Sequence, residues 1–235
     1  ELDRKKAGNM EDKIGWIRFL KGKLAREEEA KFYQMLPEIE EGEKVYAAIM
    51  KIDTDTIENT GGMMNILAEL QKLGQKLKPI YLAPDTLFLL MYMPQEAQDQ
   101  EILDCYGDVQ DHLESSFGIM SFFTVSNAIT EYEQLPTCYK TAQKLQKYKM
   151  LEGYGSCINE AHIQDRKSQD VVIDETMLRK MILKKDKEGA LNYIEDLFIN
   201  NLESEVNVEV LYQMSLKIAI LLQDIKMEYK LAQST

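Results

Sequence analysis

The stretch Lys78–Pro94, KPIYLAPDTLFLLMYMP, constrains this chain most. It reads as two short apolar strands joined by a corner at Ala83-Pro84-Asp85-Thr86. The run Leu87–Met93 has almost no polar interruption, so it is predicted to be covered on both faces. Pro84 presets its own φ and Asp85 can bond the backbone ahead of it, which is turn chemistry. In some enzyme folds a hairpin of this kind holds the catalytic groups at its tip, so the tip is the place to look for chemistry.

Around it the periodicity predicts a regular alternation. Lys44–Asp53 reads as a central strand, apolar on both faces. A polar loop, Thr54–Gly62, leads to a helix with Met63, Ile66, Leu67, Leu70 and Leu73 on one side. Gln98–Phe117 is the next helix, apolar at Ile102, Tyr106, Val109, Leu113 and Phe117. Ile119–Ser126 is rich in aromatic and β-branched residues and reads as a strand. Leu135-Pro136 then opens a helix through Tyr139, Ala142, Leu145 and Tyr148, closing near Gly153 and Gly155. The order β-α-β-β-α-β implies an α+β fold, a ferredoxin-like antiparallel sheet with helices on one face. The palm domains of nucleotidyl cyclases share that plan.

The two ends differ from this middle. Residues 1–34 are charged, with Ile14, Ile17, Leu20 and Leu24 at helical spacing beside Trp16 and Phe19, one amphipathic helix or two. They pair with a second copy or relay a signal, or else simply pack on their own domain. From about Asp174 strand signals stop. Three helices are expected, Glu175–Lys185, Lys187–Leu202 and Val208–Leu231, the last with a long apolar stripe that includes Leu211, Met214, Ile218, Leu221, Leu222, Ile225 and Tyr229. The expected division is a linker or dimerisation helix over 1–34, an α+β domain over 35–170 and an all-α helical segment over 171–235.

Charge and composition narrow the function classes. With 40 acidic against 28 basic residues and a net charge of −12, the chain lacks the basic face that phosphate contacts need. No run is long enough to span a bilayer, so no membrane contact is expected. Cys105, Cys138 and Cys157 have no CxxC spacing and are expected to be reduced, in a cytoplasmic protein. Glu1–Lys6 contains no Met and no apolar leader, so the chain is expected to be a segment of a longer protein. His112 and His162 have no ligand at metal spacing. Gly61-Gly62 lacks the Lys-Ser/Thr of a phosphate loop. The basic run Arg179, Lys180, Lys184, Lys185 and Lys187 reads as a solvated helix face or a contact for DNA backbone.

Several stretches taken together resemble the middle region of AraC-type two-component response regulators. They are KVYAAIMKID, IYLAPDTLFLLMYMP, FFTVSN and above all LPTCYKTAQKLQKYKMLEGYGSCI, with Leu135, Pro136, Tyr139, Ala142, Leu145, Tyr148, Gly153 and Gly155 at the family's positions. DETMLRKMILKKDKEGALNYIEDLF resembles the helical region before that family's DNA-binding domain. The likeness covers roughly residues 13–230. It implies a degenerate GGDEF-like domain, whose hairpin tip departs from that of a working diguanylate cyclase. A cyclase tip has glycines that let phosphates approach the backbone and acids that hold metal. Here the tip is Ala83-Pro84-Asp85-Thr86-Leu87: both glycines are gone, Asp85 keeps the first acid and Thr86 replaces the second. Asp53, with Asp55 near it, keeps the acid that ends the first strand.

The resemblance therefore implies a segment that is not an enzyme and has no cofactor or bound metal. It would transmit a signal and form a homodimer in transcription regulation. DNA would be reached only through a C-terminal domain outside this chain, and a sensor kinase only through a receiver domain also outside it. The alternative is a domain that senses a small molecule or nucleotide, with Asp53, Asp85 and Thr86 at the degenerate site and Gly61-Gly62 bordering the cleft.

Overall fold

β1 (Glu43–Ile52) is the strand on which the sheet is built. The computed structural model describes residues 13–57, 62–73, 76–164, 166, 172–203 and 207–233. β2 (Leu77–Ala83) and β3 (Thr86–Pro94) form the expected hairpin, and β3 pairs antiparallel with β1. On its other side β1 pairs antiparallel with β4 (Ser121–Val125). A three-residue strand, β5 (Ser156–Ile158), then lies parallel to β4, which gives the order β2-β3-β1-β4-β5. The fold is thus α+β with a five-stranded mixed sheet, which corrects the expectation of an antiparallel one. Parallel pairing needs a long crossover, and the helical stretch between β4 and β5 supplies it.

The helices also depart from the expectation of one covered face. Alternation along the strands sends Tyr46, Ala48, Met50, Leu87, Leu89 and Met91 to one side. There they meet Ile66, Leu67 and Leu70 of one helix (Met63–Lys72) and Ile102, Tyr106, Val109 and Leu113 of another (Asp99–Phe117). The opposite side presents Val45, Ala47, Ile49, Phe88, Leu90 and Tyr92. It is covered by α1 (Lys13–Leu20), α2 (Arg26–Tyr33) and the helix Leu135–Leu145, through Trp16, Phe19, Phe32, Leu135, Tyr139 and Ala142. Helices on both faces are what a central strand apolar on both sides demands.

Among the described residues between 34 and 162 the α-helices are α3 (Thr54–Ile57), α4 (Met63–Lys72), α5 (Asp99–Phe117), α6 (Leu135–Leu145) and α7 (Lys149–Glu152). Their ends follow local rules. Gly118, at φ 67°, closes α5, and the carbonyls of Glu114 and Leu113 accept from Gly118 N and Ile119 N. That left-handed position is where glycine has no steric cost. Pro136 stands in the first turn of α6, where its missing N–H costs nothing.

Among the described residues the N-terminal stretch is two helices, and the expected spacing holds at Leu20, which is buried, and at Ile17 and Leu24, which pack against the same cluster, but not at Ile14. Trp16, Phe19 and Leu20 are buried while Ile14 is exposed. Aromatic packing decides this: Trp16 meets Phe32 edge-on at 4.9 Å and Phe19 stacks on Phe32 at 5.2 Å. The most exposed of the α4 positions predicted to be apolar is Leu73, just past the helix end.

The chain divides into two compact units between His162 and Ile163. The second holds α8 (Glu175–Leu183), α9 (Lys187–Glu203) and α10 (Val208–Gln233). Asp174 caps α8, accepting from Met177 N at 2.9 Å, and its own N–H donates to Tyr193 Oη at 2.8 Å. Leu178, Ala190, Leu221 and Ile225 form a buried cluster in this unit, with Met181, Ile182, Tyr193 and Ile194 against it. The side chain of Tyr229, predicted for the stripe, lies outside the described residues.

Candidate functional site

The hairpin tip is assembled by strand register. Lys51 and Thr86 are cross-strand partners, and Ile52 N donates to Asp85 O at 2.9 Å, so the tip is fastened to the end of β1. That geometry sets Lys51 beside Asp85. Lys51 Nζ donates to Asp85 Oδ2 at 2.9 Å, and Thr86 Oγ1 donates to Asp85 Oδ1 at 2.7 Å. Both oxygens of the one acid retained at the tip therefore have a donor. Burial pushes the Asp85 carboxyl up, but the hydrogen bonds from Lys51 and Thr86 outweigh it and hold the group below the usual carboxylate range.

Asp53 follows β1 toward the same end of the sheet but is engaged separately. Its N–H donates to Met120 O at 2.9 Å, and its Oδ1 accepts from Asp55 N at 3.2 Å. Thr56 Oγ1 bonds Asp53 O at 2.7 Å. These are capping contacts for α3, the single helical turn that follows. Gly62 stands at φ 95° before α4, while Gly61 lies outside the described residues.

Chemically, this arrangement neutralises a carboxylate. A divalent cation binds through the negative charge and free lone pairs of its ligands; at Asp85 an ammonium offsets the charge, and the ammonium and a hydroxyl each take one lone pair, one on each oxygen. Thr86 has no charge of its own. Among the described residues no group of three or more His, Cys, Asp and Glu side chains is placed to hold a metal ion. Lys51 is the residue that sequence reasoning missed. Its signal was present: a lone cation at the end of a buried apolar strand needs a counter-charge, and Asp85 is the acid in the hairpin facing it.

The remaining candidates have structural partners. His162 Nδ1 lies 3.0 Å from Asn159 Oδ1, and His112 packs edge-on to Phe117. The three cysteines are free thiols. Burial, aided by Asp108, Asp104 and Glu101, raises Cys105, burial raises Cys138 against the pull of Ser126, and burial pushes Cys157 up to about 12. None is therefore a thiolate nucleophile near neutral pH. In the basic run Arg179 pairs with Glu228, and Lys180, Lys184, Lys185 and Lys187 are exposed. A separate cavity of about 280 Å³ lies away from the tip, with Leu77, Met91, Met93 and Val109 as its apolar walls and Lys76, Cys105 and Asp108 at its polar positions.

Compared with family models, curated proteins and solved structures, the chain matches none. Among the described residues no helix is long and apolar enough to cross a membrane.

Proposed function

We propose that this chain is a non-catalytic regulatory segment of an AraC-type response regulator, working in the cytoplasm to transmit a signal and to dimerise. Its sheet unit would be ferredoxin-like and a degenerate relative of the GGDEF domain. The observation that carries the reading is the tied tip: Lys51 and Thr86 each donate to the carboxylate that a cyclase would leave free for metal, and Lys51 offsets its charge. The strand order β2-β3-β1-β4, with every neighbouring pair antiparallel, is that of a split β-α-β and supports the fold half of the reading. In such a regulator the helical unit after His162 would pass the signal toward DNA-binding motifs outside this chain. Incubating the protein with GTP and Mg²⁺ or Mn²⁺ and separating the products by chromatography tests the catalytic half. No turnover is expected, and measurable cyclic or linear dinucleotide overturns it. Sedimentation at rising concentration tests the dimer half, which a persistent monomer would sink.

A second reading, a small-molecule sensor, is favoured by one observation, the cavity beside Lys76, Cys105 and Asp108. Its apolar walls and single pair of opposite charges suit a small zwitterion or an amphiphilic metabolite better than a nucleotide. A thermal-shift screen of such compounds against nucleotides decides between them, and no shift at millimolar ligand removes the sensor reading.

A further inference from the structure

The helical unit has a cavity of its own, about 370 Å³, at the corner between α8 and α9. Ile182, Ala190, Leu191, Ile194 and Leu222 give it apolar walls. Leu191 and Leu222 are 54 and 42 % exposed, so these walls are open to water. The size is at the small end of ligand pockets, about 300–1,000 Å³. Lys185, Asp186 and Lys187 complete the lining. All three are exposed, so the lysine stems extend the wall while their charged ends reach water at the rim. The backbone there is unusual. Lys185 has φ 62°, and among the described residues it is the one non-glycine with a positive φ. It sits just past α8, where Lys185 N donates to Ile182 O at 3.0 Å and Asp186 N to Met181 O at 3.0 Å. Glycine usually fills that position because a Cβ is strained in it. Strain kept at an exposed rim points to a use for the side chain.

We propose that this groove binds a small amphiphilic monoanion, a medium-chain fatty carboxylate, with its tail along Leu191 and Leu222 and its head at the Lys185 and Lys187 ammoniums. Charge selects the head group. The rim has two cations and one anion, and among the described residues none of the three forms an ion pair. Asp186 is engaged otherwise: its Oδ1 accepts from Gly189 N at 2.9 Å, in the first turn of α9. Of the nearest charges outside the lining, Lys184 and Lys226 balance Glu188 and Glu195, all four exposed. The rim therefore has a surplus of one positive charge, in a chain whose net charge is −12. One carboxylate answers that surplus, whereas a cation with the same tail would add to it. The apolar walls select the tail, which gains by leaving water. The site uses the helical unit's residues alone and rests on neither the regulatory nor the sensor reading.

The test uses the whole chain and measures binding by isothermal titration calorimetry. Decanoate is expected to bind, and octanoate and hexanoate to bind more weakly, by up to about fourfold for each methylene removed. Decanol and decyltrimethylammonium are expected to bind about tenfold more weakly than decanoate. Lys185→Gly separates the ligand from the fold. Glycine suits the left-handed backbone, so this variant is expected to keep or raise the wild-type Tm while losing about tenfold in decanoate affinity. Leu191→Asp, at an exposed position, is expected to abolish binding with an unchanged circular dichroism spectrum. Decanoate affinity that Lys185→Gly leaves unchanged, or that decanol matches, overturns the carboxylate assignment. Absence of binding up to millimolar decanoate overturns the site. A wild-type dimer that Leu191→Asp turns into a monomer in sedimentation makes a second copy the occupant, and overturns the proposal as well.

Discussion

Lys51→Met measures how firmly the hairpin tip is closed. The ammonium and the Asp85 carboxylate are 2.9 Å apart, with side chains 31 and 33 % exposed. At an effective dielectric of about 20 their gross attraction is about 6 kcal/mol, most of which desolvation and solvent screening remove. Exposed pairs yield about 0.2–1 kcal/mol and breaking a buried one costs about 3–5 kcal/mol. A pair two-thirds buried belongs toward the lower end, and the expected loss is about 1–2 kcal/mol. In a unit of this size that is roughly 2–8 °C in Tm. The chain's one tryptophan, Trp16, is buried in the sheet unit, so its fluorescence in a urea titration reports that unit. The pH dependence follows from the direction of the Asp85 shift. A carboxyl held below its unfolded value stabilises the fold above about pH 4 and loses that contribution as pH falls through the folded value. The gap between wild type and Lys51→Met is therefore widest at neutral pH and narrows on acidification. A double-mutant cycle with Asp85→Asn should return a coupling of about 1 kcal/mol. A gap under about 0.3 kcal/mol at neutral pH, or one that does not change with pH, would refute the lock.

Two further outcomes are expected. The thiols should react slowly with Ellman's reagent at pH 8 in the native protein, Cys157 on the order of 100-fold more slowly than a free cysteine, and all three promptly in urea; a fast native phase would contradict the burial assigned to them. Gly118→Ala should cost about 1 kcal/mol in the same urea titration, because a Cβ is strained at φ 67° although nothing lies within 4 Å of it.

Much of the fold was legible because its strands and helices are strongly periodic. β1, β2 and β3 read plainly from continuous apolar runs, and α5 and the three helices of the second unit from spacings of three and four. What could not be read has physical causes. β5 has three residues, too few for alternation to appear. Ile14 stays exposed because Trp16 meets Phe32 of the next helix edge-on and Phe19 stacks on it, a tertiary preference that spacing within α1 does not encode. Helices on both faces were implied by the double-sided hydrophobicity of β1, but the connection between β-α-β-β-α-β order and one covered face obscured it. At the site, Asp53, Asp85 and Thr86 were found from motif positions, whereas Lys51 belongs to no motif and becomes significant only through register.

That register gives Asp85 a structural role that does not need catalysis. Its backbone carbonyl accepts from Ile52 N, and its carboxylate bonds both the following Thr86 and the cross-strand Lys51. Two of these bonds tie a two-residue corner to the end of the central strand, and the third braces it from within the hairpin. Pro84 cannot donate to the sheet, so without the Asp85 side chain the corner would hold through backbone contacts alone: the Ala83–Thr86 and Lys51–Thr86 pairs and the bond from Ile52 N to Asp85 O. Asp85→Asn separates the two roles. It keeps an oxygen for Thr86 and the backbone carbonyl for Ile52 while removing the charge that answers Lys51. If the carboxylate serves only the fold, the variant loses stability by about the Lys51→Met amount and its oligomeric state is unchanged. If instead the charge serves a bound cation, Mg²⁺ should raise the wild-type Tm and not that of Asp85→Asn, a result that would reopen the tip as a metal site.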